Sequence, residues 1–308
     1  MKRIFIDGSA GTTGLRIRER LSVRDDLSLI TLPEELRKDA DARKDAINNA
    51  DVVFLCLPDA AAIESASMVE NPDTVVIDTS TAHRTDPAWV YGFPELAGQR
   101  EKIAVSKRIA NPGCHASGFI SLIAPLRESG ILPKDALLSC FSVTGYSGGG
   151  KKMIEDYEDE ARKRALLAPR MYGLGQTHKH LPEMAKACGL ERVPVFSPIV
   201  SSFYAGMEVV VPLFTSQLCG SVGDVKAAFQ SYYTGKIVRY READEDGFLS
   251  AGAFAGRDDM EIAVFGNAER ITLVSRFDNL GKGASGAAIQ NMNLVLGAEE
   301  TTGLSIGG

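Results

Sequence analysis

The sequence predicts an α/β protein: a doubly wound parallel sheet with a second, α+β domain attached. Three observations carry this. Short apolar strands alternate with helical segments over the first eighty residues, a glycine-rich turn joins the first strand to the first helix, and beyond residue 135 strands outnumber helices. A length of 308 residues leaves room for two domains of ordinary size.

The first strand is Lys2-Arg3-Ile4-Phe5-Ile6-Asp7. It runs into Gly8-Ser9-Ala10-Gly11-Thr12-Thr13-Gly14 and then a helical pattern through Leu15, Ile17, Arg18 and Leu21. Such a turn between strand and helix is the context a dinucleotide site requires: glycines let the backbone approach a pyrophosphate, which sits on the helix N-terminus. The spacing is G-x-x-G-x-x-G rather than G-x-G-x-x-G. Leu27–Leu32 is the second strand and Asp41–Asn48 a short helix. Asp51–Leu57 is an almost continuous apolar run, as expected of a strand buried on both faces. Pro58-Asp59 opens the next helix, and Thr74–Asp78 is the strand after it. Loops at the carboxyl ends of parallel strands hold ligands. Two qualify, one at Pro58 and one spanning Asp78 to Arg84, which contains Ser80. Arg84 has a planar fork suited to a phosphate or carboxylate.

The centre of the chain is Asn111-Pro112-Gly113-Cys114, followed by an apolar run with helical spacing at 119, 122, 123 and 126. Cys114 thus starts a helix, where unpaired N–H groups and the dipole favour a thiolate. Further on, Ala136–Thr144 reads as a strand, Gly145–Lys152 as a glycine-rich cationic loop, and a charged helix extends to about Leu167. His178-Lys179-His180-Leu181-Pro182-Glu183 holds two of the four histidines, with Pro182 suited to a helix start. The pattern fits a metal triad, or a general base with its orienting carboxylate. Strands at 195–203 and 207–214, turned at Ala205-Gly206, precede a helix at 222–233. Strands near 262–265 and 270–277 follow, and a last helix carries an apolar stripe of Ile289, Met292 and Leu296, read as core.

Composition narrows the function class. Hydrophobic content of 44%, charged content of 24% and net charge −6 describe a globular chain with no basic footprint for nucleic acid or an anionic membrane. No apolar run approaches the roughly 20 residues of a membrane span. The N-terminus enters a strand without a signal segment, and five scattered cysteines suggest a reducing, cytoplasmic setting.

Four segments taken together resemble N-acetyl-γ-glutamyl-phosphate reductase, in its shorter type, over essentially the whole chain. They are Asn-Pro-Gly-Cys at 111–114, His-Lys-His-Leu-Pro-Glu at 178–183, Gly-Thr-Thr-Gly at 11–14 and Asn-Leu-Gly-Lys-Gly-Ala-Ser-Gly at 279–286. Segments 90–96 and 146–150 also resemble that family. The sequence departs from it at His115-Ala116-Ser117, where the family has Tyr-Pro-Thr.

The resemblance implies a Rossmann domain of residues 1–113 plus 282–308 and a catalytic and oligomerisation domain of residues 114–281. It implies NADP(H) as cofactor, a homodimer or homotetramer, and reductive dephosphorylation of a small acyl phosphate in arginine biosynthesis, with no metal, nucleic acid or membrane partner. Cys114 matches the nucleophile, His180 the base and Glu183 the group that stabilises its imidazolium. Arg84, His178 and Ser147 fall on the substrate side. Gly8, Gly11, Thr12, Thr13, Gly14, Arg37, Pro58, Ser80 and Asn279 fall on the cofactor side. Residues alone leave the cofactor open: Glu34 and Glu35 suit a ribose 2′-OH, while Arg37 and Lys38 suit a 2′-phosphate. The rival readings are another acyl-phosphate reductase, such as aspartate-semialdehyde dehydrogenase, and a dinucleotide-sensing protein with a dead site.

Overall fold

The computed structural model describes residues 1–242 and 246–307. The chain divides into two compact units. One comprises Met1–Pro112 with Ala284–Leu304; the other comprises Gly113–Gly283 with the chain end from Ser305.

The first unit is built on β1 (Lys2–Asp7), β2 (Leu27–Ile30), β3 (Val52–Leu55), β4 (Val75–Asp78), β5 (Val90–Tyr91) and β6 (Arg108–Ala110), all parallel in the order β2-β1-β3-β4-β6-β5. The apolar runs follow from cover on both faces. Ile4, Ile6, Val52, Phe54, Val75 and Ile77 point to one side, where they meet Ile17 and Leu21 of α1 (Thr12–Leu21), Ile103 of α4 (Gln99–Val105), and Ile289 and Met292 of α9 (Gly286–Val295). Phe5, Val53, Leu55 and Val76 point to the other, against Ala46 and Ile47 of α2 (Ala40–Asn48) and Ala62 of α3 (Asp59–Ser67). A strand with helices on both sides has no polar face to offer, so period-two alternation vanishes. Strand order reverses at β1 and β3, which places the crevice of a doubly wound sheet beyond their carboxyl ends.

The second unit has a mixed seven-stranded sheet in the order β11-β12-β13-β10-β7-β9-β8. Its strands are β7 (Ser139–Gly145), β8 (Arg170–Met171), β9 (Val195–Ser201), β10 (Met207–Phe214), β11 (Val238–Tyr240), β12 (Met260–Gly266) and β13 (Arg270–Phe277). The helix α5 (Cys114–Glu128) lies on one face with α7 (Leu181–Ala187) and α8 (Val222–Tyr232) packed against it. Every residue from His115 to Leu126 is buried. Pro125 lies inside this helix, where it removes the N–H that would reach the Ser121 carbonyl. The Tyr233 hydroxyl donates to that carbonyl at 2.6 Å instead, so no buried acceptor is stranded.

Two expectations are corrected. β9 and β10 do not form a hairpin about Ala205-Gly206, because β7 lies between them. The link crosses the end of β7, and its backbone accepts from the N–H groups of Gly145, Tyr146 and Ser147 at 3.0 Å each. The charged helix α6 starts within the glycine loop and is short (Gly150–Glu158). Asp159 leaves helical geometry at ψ 125°, and its carboxylate takes the Ala161 N–H. Residues Arg164–Leu167 form a separate 3₁₀ turn.

Candidate active site

In the first unit the turn after β1 is a cradle of backbone. Gly8 has φ +87°, and a Cβ there would strike the Cys56 carbonyl. A Cβ on Gly14 would come within 2.5 Å of the Gly8 carbonyl. The Thr12 hydroxyl is buried without a hydrogen bond among the described residues, in the first turn of α1. A close-fitting, donor-rich helix start of this kind fits a dinucleotide pyrophosphate. Beside it lies a cavity of about 680 Å³ lined by Gly8, Ser9, Arg18, Glu34, Arg37 and Lys38 among others. Arg37 and Lys38 are exposed there with Glu34, so both signs suggested by the sequence face one cavity. Arg18, nearly two turns into α1, adds a third cation, which the sequence placed only within the helical pattern. Asp7, at the end of β1, is already committed: Arg43 and Ser65 donate to its carboxylate.

The loop after β4 is fixed from within. Asp78 accepts from the Ser80 N–H, from the Ser80 hydroxyl at 2.7 Å and from the His83 ring at 2.7 Å, and His83 stacks on Trp89. Arg84 is half-buried and donates to the carbonyls of Asn111 and Thr79, both at 3.0 Å. Its guanidinium is therefore held at the carboxyl edge of the sheet. Pro58 is the N-cap residue of α3.

In the second unit Cys114 is the first residue of α5, and of residues 111–126 it alone is not fully buried. A thiol at the start of a fifteen-residue helix meets unpaired N–H groups and the positive dipole end. Glu183, only 2% exposed in the first turn of α7, accepts from the Gly113 N–H at 2.8 Å. The carboxylate thus fixes the turn that presents the cysteine, a tie across 70 residues that spacing does not show. His180 is the N-cap residue of α7, and its N–H donates to His178 Nδ1 at 3.2 Å. The two rings meet edge to face at 4.7 Å.

A third histidine joins them. His115 lies 5.7 Å from His178 and 5.6 Å from His180, ring to ring, and is hydrogen-bonded at both nitrogens. Burial pushes its pKa down to about 3, helped by the nearby His178, so the ring is neutral. Burial also pushes the Tyr172 phenol up, with the charge of Cys114 a second cause, and the Tyr172 hydroxyl is hydrogen-bonded to the His115 ring. Neither was singled out as a site residue in the sequence; the departure from Tyr-Pro-Thr at 115 was the only signal. Ser147 and Asn279 come together elsewhere in this unit: Asn279 donates to Ser147 Oγ at 3.0 Å and accepts from the Gly206 N–H. Among the described residues no group of three histidine, cysteine or acidic side chains is placed to hold a metal ion. No helix there is long and apolar enough to cross a membrane.

The other cysteines differ from Cys114. Burial raises the thiols of Cys140 and Cys188, and it pushes Cys56 up to about 12 against a Thr79 hydrogen bond. None of the five cysteines is in a disulfide.

A doubly wound nucleotide-type unit and a mixed-sheet unit that starts on a cysteine helix define the class, and two family models match accordingly. One is "Semialdehyde dehydrogenase, NAD binding domain" over residues 21–106; the other is "Semialdehyde dehydrogenase, dimerisation domain" over residues 114–279. Curated relatives named N-acetyl-gamma-glutamyl-phosphate reductase, from Brucella canis and Brucella suis, are each 48% identical over 306 residues, covering 96% of this chain and 99% of theirs. The chain belongs to the semialdehyde dehydrogenase family, among its N-acetyl-gamma-glutamyl-phosphate reductases. Aspartate semialdehyde dehydrogenase II from Vibrio cholerae matches with a TM-score of 0.74 at 16% identity, over 96% of this chain and 98% of that one. Its counterpart from Francisella tularensis matches at 0.71 and 13%, over 96% and 100%. These likenesses describe the fold.

Proposed function

We propose that the protein reduces N-acetyl-γ-glutamyl phosphate to N-acetylglutamate 5-semialdehyde with release of phosphate, using NADPH, in a cytoplasmic arginine pathway. The observation that carries this reading is Cys114 at the open end of a buried helix, its turn tied down by Glu183, with His178 and His180 paired in the same unit.

In the forward direction the Cys114 thiolate attacks the acyl carbon, and phosphate leaves with the bonding electrons to give a thioester. When bound, NADPH supplies a hydride to that acyl carbon. His180, protonated on taking the Cys114 thiol proton, gives that proton to the developing oxygen and takes it back as the C–S bond breaks, which releases the aldehyde and restores the thiolate. Glu183 orients the base region as well as the cysteine turn, and His178 holds the substrate. Arg84 is assigned to the phosphate, Ser147 to the substrate and Asn279 to the cofactor side. Gly8, Gly11, Thr12, Thr13 and Gly14 would hold the pyrophosphate, with Pro58 and Ser80 on neighbouring loop ends. Arg18, Arg37 and Lys38 outnumber Glu34 around the cavity, which supports a 2′-phosphate and hence NADP(H) over NAD(H).

The outer sheet face of the second unit supports a homodimer or a dimer-based tetramer. Phe141, Val195, Pro212 and Phe214 are exposed on it, with Val143, Ile199 and Val210 half-buried among them. The testing experiment is reduction of NADP+ by N-acetylglutamate semialdehyde. Phosphate-dependent turnover, with aspartate semialdehyde far poorer, is the expected result. Turnover that ignores phosphate, or that favours aspartate semialdehyde, would overturn the reading.

A further inference from the structure

Strand β13 ends at Phe277, and a few residues later the chain lies directly against the nucleophile. A Cβ placed on Gly283 would stand 2.9 Å from Cys114 Cβ, closer than two saturated carbons settle. Only a residue without a side chain therefore allows Cys114 its present seat. The other near neighbours of such a Cβ would be the Asp278 carbonyl at 3.1 Å and the Phe277 ring at 3.2 Å. Both are anchored. The Asp278 carbonyl accepts from the N–H groups of Gly281 at 3.1 Å and Gly283 at 3.0 Å, and its buried carboxylate accepts from the Leu280 N–H at 2.7 Å. Phe277 is fully buried, with its ring against Gly118 in the next turn of the cysteine helix. The loop from Asp278 to Gly283 is a wall with no slack behind it.

Cys114 is the partner that can move. It is the first residue of α5, and of residues 111–126 it alone is not fully buried. The residue before it is tied by its N–H to Glu183 at 2.8 Å. The nucleophile thus sits between a fixed turn and a bare glycine. We propose that Gly283 is a positioning residue: the lack of a side chain there sets the seat of the Cys114 side chain, and with it the alignment of the sulfur with the N–H groups that open α5. This rests on the Cys114 thioester reading.

The test adds one methyl group at 283 in the full-length protein. To reach carbon–carbon contact at about 3.5–4.0 Å, Cys114 has to retreat by roughly 0.6–1.1 Å. A misplacement of about 1 Å costs about a hundredfold in rate, so Gly283→Ala should lower kcat by about thirty- to a hundredfold. The pH midpoint of iodoacetamide labelling at Cys114 should move upward, because the thiolate loses part of its alignment with the helix N-terminus. Tyr233→Phe is the comparison: it removes the donor to the Ser121 carbonyl in the middle of the same helix. That variant should melt earlier with kcat and midpoint unmoved. Phe277→Leu in the Gly283→Ala background opens the wall behind the added methyl, so it should raise kcat about threefold or more while lowering Tm further. Gly283→Ala with the parent's kcat and midpoint overturns the proposal, as does an equal kcat loss in Tyr233→Phe or a double variant no faster than Gly283→Ala. If Gly283→Ala does not fold, the double variant is compared with Phe277→Leu alone. A kcat about tenfold lower with a raised midpoint is then expected, and equal values overturn the proposal. An active Cys114→Ser enzyme would remove the thioester reading and this inference together, whereas a dead one with Gly283→Ala unimpaired removes this inference alone.

Discussion

Replacing Glu183 by alanine removes the acceptor of the Gly113 N–H, one residue before Cys114, at a site where the carboxylate is 2% exposed. An unsatisfied buried donor costs about 1–3 kcal/mol, and desolvating the pocket left by the side chain does nothing to offset it. For a domain of this size each kcal/mol lowers Tm by roughly 2–4 °C. The catalytic loss should be larger than the stability loss suggests, because a displacement of about 1 Å in a nucleophile can cost about a hundredfold in rate. Glu183→Gln separates the two roles. Its amide oxygen can still accept from Gly113, so melting should stay within about 0.5 kcal/mol of the parent, while the lost charge still slows turnover through His180. Thermal melts and steady-state kinetics of both variants are the assay. Full activity in Glu183→Ala, or a Glu183→Gln enzyme indistinguishable from the parent in kcat, would refute the assignment of this carboxylate.

Three further outcomes follow from other parts of the molecule. Replacing Arg37 and Lys38 together by serine should weaken NADPH binding by about tenfold or more and leave NADH binding little changed, measured by fluorescence titration; each tenfold is about 1.4 kcal/mol. His115 has a folded pKa of about 3 against an ordinary 6.5, so in that window the unfolded chain binds the extra proton. Its contribution is fully present above pH 6.5 and is lost as pH falls toward 3, with a slope of up to about 1.4 kcal/mol per pH unit, and His115→Phe should flatten this limb in urea melts. On the outer sheet face, Phe141→Asp with Phe214→Asp should convert the proposed dimer to monomers in light scattering while each chain keeps its circular dichroism.

Much of the fold was legible because burial on two faces leaves a plain mark. Val52-Val53-Phe54-Leu55 has no polar member, and both halves of its alternation are packed, one on each core. Cys114 was legible because Pro112 and Gly113 precede a helical apolar pattern. What was not legible depends on partners far apart in sequence. A turn at Ala205-Gly206 looks like a hairpin until the ends of β7 take its carbonyls. The two- and three-residue strands β5, β6, β8 and β11 are too short to show any period. Glu183 was expected to serve His180, and its tie to Gly113 appears only when α7 is brought against α5. Tyr172 and His115 are 57 residues apart. Arg18 falls within the helical pattern after the glycine turn, and nothing in the sequence shows the cavity that it lines.

The central claim is that Cys114 is the only cysteine the chemistry needs, and stoichiometric alkylation with iodoacetamide near pH 7, followed by peptide mapping and assay, tests it most directly. The thiols of Cys56, Cys140 and Cys188 are raised by burial and should stay largely unlabelled; exposed Cys219 can take label without effect on rate. The account predicts that activity falls in step with label at Cys114 and that bound substrate slows both. Loss of activity with Cys114 unmodified, or full activity with Cys114 fully labelled, would contradict it.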